Sequence, residues 1–158
     1  MPYAKVDDIN MYYEVHGDGE PLVFINACGT SVEFFYRYIP VYSSEYKLIL
    51  FDNRGAGRSD VPDSPYNMEM MADDVAGLLD AIEIASAHIR GISLGGMIAQ
   101  HLVLRHPKKV KSLILASTTC GGPQSIPVWP APKRVTTYKV SPTGILASGA
   151  GGLYPNEL

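Results

Sequence analysis

The pattern most able to do chemistry is Gly91-Ile92-Ser93-Leu94-Gly95-Gly96. A serine with small residues two positions to either side can sit on a sharp strand-to-helix turn, where strand and helix approach too closely for larger side chains. Such a turn strains the serine backbone and presents its hydroxyl. It also leaves the N–H of the next residue, Leu94, at a helix N-terminus, where developing negative charge is stabilised. The chemistry this allows is nucleophilic attack on a carbonyl. Phosphate binding fails on spacing: neither this segment nor Gly55-Ala56-Gly57 extends to GxGxxG, and there is no Gly-Lys-Ser/Thr.

A serine hydroxyl needs a base within about 3 Å to become a nucleophile. Downstream of Ser93 the only histidines are His101 and His106, and the only carboxylate is Glu157. Both histidines fall on the helix that the turn would start, about 10 Å and about 18 Å along it at 1.5 Å per residue, and neither serves as the base. His16 and His88 lie upstream and read as structural or surface residues. Asp73 and Asp74 are adjacent on a helix, point apart, and read as solvated rather than as a proton-sharing pair. The sequence thus offers a nucleophile without a plausible histidine and acid.

The elements that must position Ser93 emerge from hydrophobic patterning. Ala4–Val6 and Met11–His16 read as an antiparallel hairpin about the polar turn Asp7-Asp8. Leu22–Ile25 and Leu48–Phe51 are continuous apolar runs, as expected for parallel strands covered on both faces. Between them, Ser31 is a candidate N-cap for a helix through roughly Ser44. Met68, Met71, Val75, Leu78, Leu79 and Ile82 recur at helical spacing behind the N-cap Asn67, and this Met-rich stripe reads as core. His88–Ile92 is a short strand, Leu94–His106 a helix stopped by Pro107, and Val110–Ala116 a further apolar strand. The fold class is therefore α/β: a mostly parallel sheet with an N-terminal antiparallel hairpin and helices on both faces. Residues 1–122 form this core. Residues 123–158, rich in Pro and Gly, have little amphipathic period and read as a tail that is either the start of a cap region or poorly ordered.

The chain has 158 residues, 46% hydrophobic, and a formal net charge of −3, the size of one globular domain. It has no clustered basic surface of the kind nucleic acid or membrane binding needs, no targeting segment, and no apolar run long enough to span a bilayer. We read it as cytoplasmic. Fifteen of its sixteen carboxylates precede residue 84, whereas Arg90, Arg105, Lys108, Lys109, Lys111, Lys133, Arg134 and Lys139 lie after it. That asymmetry reflects either solvated helix faces or a basic surface that meets an acidic segment. Cys28 and Cys120 have no metal-ligand spacing and read as buried thiols, and the serine chemistry to which Ser93 points implies no metal or organic cofactor.

Three further segments extend the pattern into a resemblance. Ile25-Asn26-Ala27-Cys28-Gly29 comes after the first long strand; Asp52-Asn53-Arg54-Gly55-Ala56-Gly57-Arg58-Ser59 comes after the second; and Pro107 and the strand ending Ala116-Ser117-Thr118 come after the glycine-rich turn. In that order, over about residues 3 to 122, they resemble the N-terminal half of the α/β-hydrolase family. Thr30 and Phe34-Phe35 are most similar to its lactonase, esterase and cofactor-free haloperoxidase branch. The resemblance implies a nucleophile elbow with Ser93 as nucleophile and Gly91 and Gly95 as elbow glycines. It also implies an oxyanion hole made by the backbone N–H groups of Cys28 and Leu94 and a small-molecule ester or lactone substrate. Asn26-Ala27 departs from the His-Gly usual at that point. The family's acid and histidine come from later strands, so this chain alone is expected to be inactive or weakly active. The strand Val110–Ala116 would be an open apolar edge, met by a missing C-terminal half or by another copy. The competing reading is a non-catalytic truncated domain or interaction module that exposes this edge.

Overall fold

The computed structural model describes residues 2–120 and, as backbone, the two short strands Tyr138–Ser141 and Gly144–Ala147, which pair antiparallel. The remainder of the tail expected over 123–158 lies outside the described residues. Six strands form one sheet: β1 (Tyr3–Val6), β2 (Ile9–His16), β3 (Glu20–Ile25), β4 (Tyr46–Phe51), β5 (Ala87–Ile92) and β6 (Val110–Ala116), in the spatial order β1-β2-β4-β3-β5-β6. The first two form the expected hairpin, with Val6 opposite Ile9 across Asp7-Asp8, and β2 runs antiparallel to β4. All pairings from β4 through β3 and β5 to β6 are parallel.

Alternation within the buried strands divides the core in two. Val23, Ile25, Ile49 and Phe51 face one side and pack with helices α2 (Met68–Ala81) and α3 (Leu94–Arg105). Leu22, Phe24, Leu48 and Leu50 face the other and pack with Val32 and Phe35. The segment carrying those last two was expected to be one helix through Ser44. Instead a 3-10 helix spans Val32–Tyr38 and a single turn, α1, spans Ile39–Tyr42. Ser31 does cap it, accepting the N–H of Glu33 at 3.4 Å. Pro40 has no N–H to donate back to Tyr36, and Ile39 instead closes a three-residue bond to the Tyr36 carbonyl. The aromatic residues Phe24, Phe35 and Tyr42 fix this cover through edge-on ring contacts at 5.0 Å.

The charge asymmetry resolves within the chain. Arg105 makes a two-point contact with Asp73 at 2.9 and 2.6 Å, which His106 also reaches at 2.7 Å. Lys109 pairs with Asp80 and Lys111 with Glu20. Among the described residues, Arg105, Lys109 and Lys111 thus meet carboxylates from the first half of the same chain. Asp74, in contrast, is not solvated as its sequence position suggested: it is buried, with Arg54 against it. No described helix is long and apolar enough to cross a membrane.

The sheet order also marks where a ligand would sit. From β3 the chain moves outward to β4 and then crosses back to β5 on the other side of β3. The switch in direction falls at the C-terminal ends of β3 and β5, where Ile25 lies opposite Gly91, and open α/β sheets bind ligands at such switch points. The segments holding Cys28 and Ser93 both leave the sheet there.

Candidate functional site

Ser93 occupies the turn between β5 and α3 with φ 53° and ψ −117°, a conformation costly for a residue with a Cβ. The turn is held by the sheet and the helix together. The Ser93 N–H donates to Ala116 O at 3.0 Å. Its carbonyl accepts from Gly96 N at 3.0 Å, Met97 N at 3.3 Å and the Thr118 hydroxyl at 2.7 Å. A serine at a helix N-cap ordinarily spends its hydroxyl on the first-turn amides. Here the side chain makes no capping bond, and Ser93 is exposed.

The flanking glycines are required by contact. A Cβ on Gly91 would collide with Gly95 O and lie 2.7 Å from Gly96 Cα, and one on Gly95 would collide with Ile25 O and lie 2.7 Å from Asn26 O. Gly96 is equally confined, against Thr118. The close approach therefore joins three pieces, namely the end of β5, the start of α3 and the segment leaving β3. Leu94, at the first position of α3, has no intrahelical acceptor for its N–H.

Beyond β3, Ala27–Thr30 forms a tight turn. The Thr30 N–H reaches Ala27 O at 3.4 Å and the Thr30 hydroxyl reaches the same oxygen at 3.0 Å, with Gly29 at φ 71°. A turn of this kind consumes the first carbonyl and the fourth N–H, leaving the N–H of the second residue, Cys28, uncommitted. Cys28 and Cys120 are both exposed free thiols, not the buried ones expected from their type; Cys28 projects from the tip of the turn, outside the core. Desolvation still pushes the Cys28 thiol above its ordinary range, which disfavours a thiolate nucleophile.

The loop Asp52–Ser59 supports this turn from the β4 side, a role that sequence reasoning did not assign. Asp52 is buried, and its two oxygens accept Val32 N at 2.7 Å and Arg58 N at 2.8 Å. Ser59 donates to Asp52 O at 2.6 Å and accepts Tyr12 N at 2.9 Å, tying the loop to β2. Burial pushes the Asp52 carboxyl up, against the two backbone donors that favour its charged form. Asp52→Asn replaces one acceptor by an amide that faces an N–H. It is expected to cost about 1–3 kcal/mol, read as a lower urea midpoint at unchanged slope.

The histidines stay away from Ser93. His16 contacts Glu14 at 2.9 Å, His88 contacts Ser112 at 2.7 Å, His101 faces Glu69 at 3.7 Å, and His106 contacts Asp73. No cluster of three metal-ligating side chains occurs among the described residues.

The alpha/beta hydrolase fold family matches residues 20–138. The chain belongs to this family. A protein named for carbamate hydrolysis, RutD of Azorhizobium caulinodans, is 36% identical over 117 residues, covering 74% of this chain and 44% of that protein. The 3-oxoadipate enol-lactonase 2 of Acinetobacter baylyi is 34% identical, covering 70% and 42%. Among solved structures, the enol-lactonase of Burkholderia xenovorans superposes with a TM-score of 0.72 at 30% identity, over 75% of this chain and 47% of that one. The chain thus spans less than half the length of these relatives. As the resemblance implied, the fold is that of an α/β-hydrolase, truncated relative to them, with lactonase- and esterase-like relatives.

Proposed function

We propose that this chain carries the nucleophile half of a serine hydrolase that cleaves a small-molecule ester or lactone. Ser93 attacks the carbonyl carbon, and the resulting oxyanion is held by the N–H groups of Leu94 and Cys28. The tetrahedral intermediate collapses to an acyl-serine with loss of the alcohol, which stays tethered if the substrate is a lactone, and water then releases the acid. The observation that carries this reading is an exposed serine held in a strained turn at the N-terminus of α3, its side chain making no capping bond. Similarity to enol-lactonases supports the substrate class, and two unpaired cysteines fit a cytoplasmic location.

The reading requires a histidine and an acid, absent from this chain, to complete the triad. Without them, only the roughly 10³–10⁴-fold acceleration due to binding and the oxyanion hole is expected. A second reading, a non-catalytic domain that presents its sheet edge, draws on β6, where Ile114 and Leu115 remain 50% and 44% exposed. Labelling of the purified chain with a fluorophosphonate, read by intact mass, separates the two. We expect little or no modification of the chain alone. Stoichiometric modification lost in Ser93→Ala would instead mean that the chain or its assembly supplies a base. Absence of labelling in a longer form that includes the C-terminal half would overturn the hydrolase reading.

A further inference from the structure

We propose that Asn26 is a positioning residue that sets the Cys28 N–H against Ser93; the inference rests on the oxyanion reading of that turn. Asn26 is the first residue past β3 and is fully buried, an unusual place for a primary amide unless its polar atoms are used. They are. Its Nδ2 donates to Phe51 O at 2.6 Å, its Oδ1 receives the Thr30 hydroxyl at 3.4 Å, and its own carbonyl accepts Asn53 Nδ2 at 3.3 Å. A Cβ on Gly95, in the first turn of α3, would lie 2.7 Å from the same carbonyl oxygen.

These contacts do one mechanical job. The β3–β4 ladder pairs Phe24 with Leu50 at its last rung, so the Phe51 carbonyl lies beyond the backbone pairing to β3. The Asn26 amide supplies the missing donor from a side chain. The backbone of 26–28 is thereby free to leave the sheet and turn toward the elbow instead of continuing the ladder. Its Oδ1 then holds Thr30, the far end of the turn whose second residue is Cys28. One side chain thus fixes both ends of the segment that presents the donor, with Gly95 as the stop on the third side. An apolar residue would fill the volume but release both ends and leave the Phe51 carbonyl without its donor. A histidine, with a ring N–H in place of the amide, retains the donor.

The test uses the purified chain and two readouts. Amide hydrogen exchange needs no chemistry at Ser93: Asn26→Ala should speed exchange at residues 27–30 about tenfold or more, while β5 and α3 keep their protection. Labelling kinetics with an alkyl fluorophosphonate, in the chain or in its longer form, should show a maximal rate lowered about tenfold or more with half-saturating probe concentration within about twofold, since oxyanion donors act on the transition state. Asn26→His should recover most of both, and Asn26→Asp, isosteric without the donor, replaces the alanine variant should that fail to fold. Unchanged exchange at 27–30 overturns the proposal, as does loosening that spreads equally through β5 and α3. Absence of labelling in every form defeats the hydrolase reading, and the exchange result then decides the role of Asn26 in ordering the turn.

Discussion

Replacing Arg54 by alanine is expected to destabilise the chain by about 3–5 kcal/mol, the usual consequence of removing one partner from a buried ion pair. Arg54 is 2% exposed and Asp74 5%. The guanidinium meets the carboxylate edge-on, with Nε and Nη2 donating to its two oxygens at 2.6 and 2.7 Å, and Nη2 also reaches Asp8 at 3.0 Å. Burial pushes the Asp74 carboxyl up, while Arg54 pulls the other way and is itself held firmly protonated by Asp74. Without the guanidinium, desolvation and the nearby Asp8 and Asp7 charges all act on Asp74 in the same direction, and its folded pKa stays above the unfolded value. A carboxyl of that kind binds its proton more tightly when folded, so stability falls as pH rises through the folded pKa. The deficit of Arg54→Ala should therefore be largest near neutral pH and shrink on acidification, as urea midpoints between about pH 7 and pH 5 would record. A deficit below about 1 kcal/mol, the range of exposed pairs, would mean that the pair is solvated. Pairing Arg54→Met with Asp74→Leu should recover much of the loss, because well-packed apolar replacements of buried pairs are often neutral.

That pair also shows where sequence reading stops. Adjacent aspartates on a helix must diverge, and Asp73 and Asp74 do, but adjacency does not say which one faces the protein. A signal was present: Asp74 lies three residues after Met71 and four before Leu78, inside the apolar stripe of α2. A carboxylate in such a stripe needs a buried cation, and Arg54, 20 residues earlier, could be matched to it only once β4 and α2 were placed. By contrast, β3, β4 and α2 were readable because their signals are local. Two strands are apolar on both faces, and a 3.6-residue period comes after an asparagine whose side chain caps the helix, accepting Met70 N at 2.7 Å. The Ser31 segment misled because its cap is local and correct, while Pro40 and the aromatic packing decide the path of the chain beyond the cap.

The candidate site divides in the same way. The Ser93 turn could be located because Gly91 is demanded by Gly95 and Gly96, a few residues along the chain, although Gly95 itself is confined by the distant end of β3. The Asn26 tethers to Phe51 and Asn53 and the Asp52 clamp on Val32 and Arg58 join residues 25, 27, 20 and 6 positions apart, and no periodicity encodes them. What sequence could say of Asn26 was only that it departs from a histidine usual at that place. The structure shows what the asparagine does there: its side chain donates to the carbonyl at the end of β4.

Gly95→Ala is expected to be strongly destabilising although it adds a single methyl. The cost does not come from backbone conformation, since Gly95 is helical and alanine is the better helix former. It comes from where the methyl would go: into Ile25 O and 2.7 Å from Asn26 O, both rigid backbone atoms at the end of a strand paired on each side. Neither atom can swing away as a side-chain tip would. Relief requires α3 to lift off β3, which opens the contacts of Ile98 and Ala99 with the sheet. Overpacking of this kind costs about 3 kcal/mol or more where the neighbours cannot yield, or a fall in melting temperature of roughly 6–12 °C for a chain of this size. Because the same displacement carries Ser93, at the N-terminus of α3, away from the segment leaving β3, any Ser93 labelling should fall by more than the loss of folded protein. The comparison that checks this is labelling rate per folded molecule against urea midpoint, with Gly77→Ala as control. That methyl also overlaps a neighbour, but the neighbour is the Val6 side chain at 2.7 Å, which can shift, and Val6 lies in β1, at the opposite end of the sheet order from β5 and β6. If Gly95→Ala were no worse than Gly77→Ala in stability, the close approach of α3 to the end of β3 would not be the constraint that fixes this glycine, and the elbow would owe its shape to Gly91 and the strained Ser93 alone.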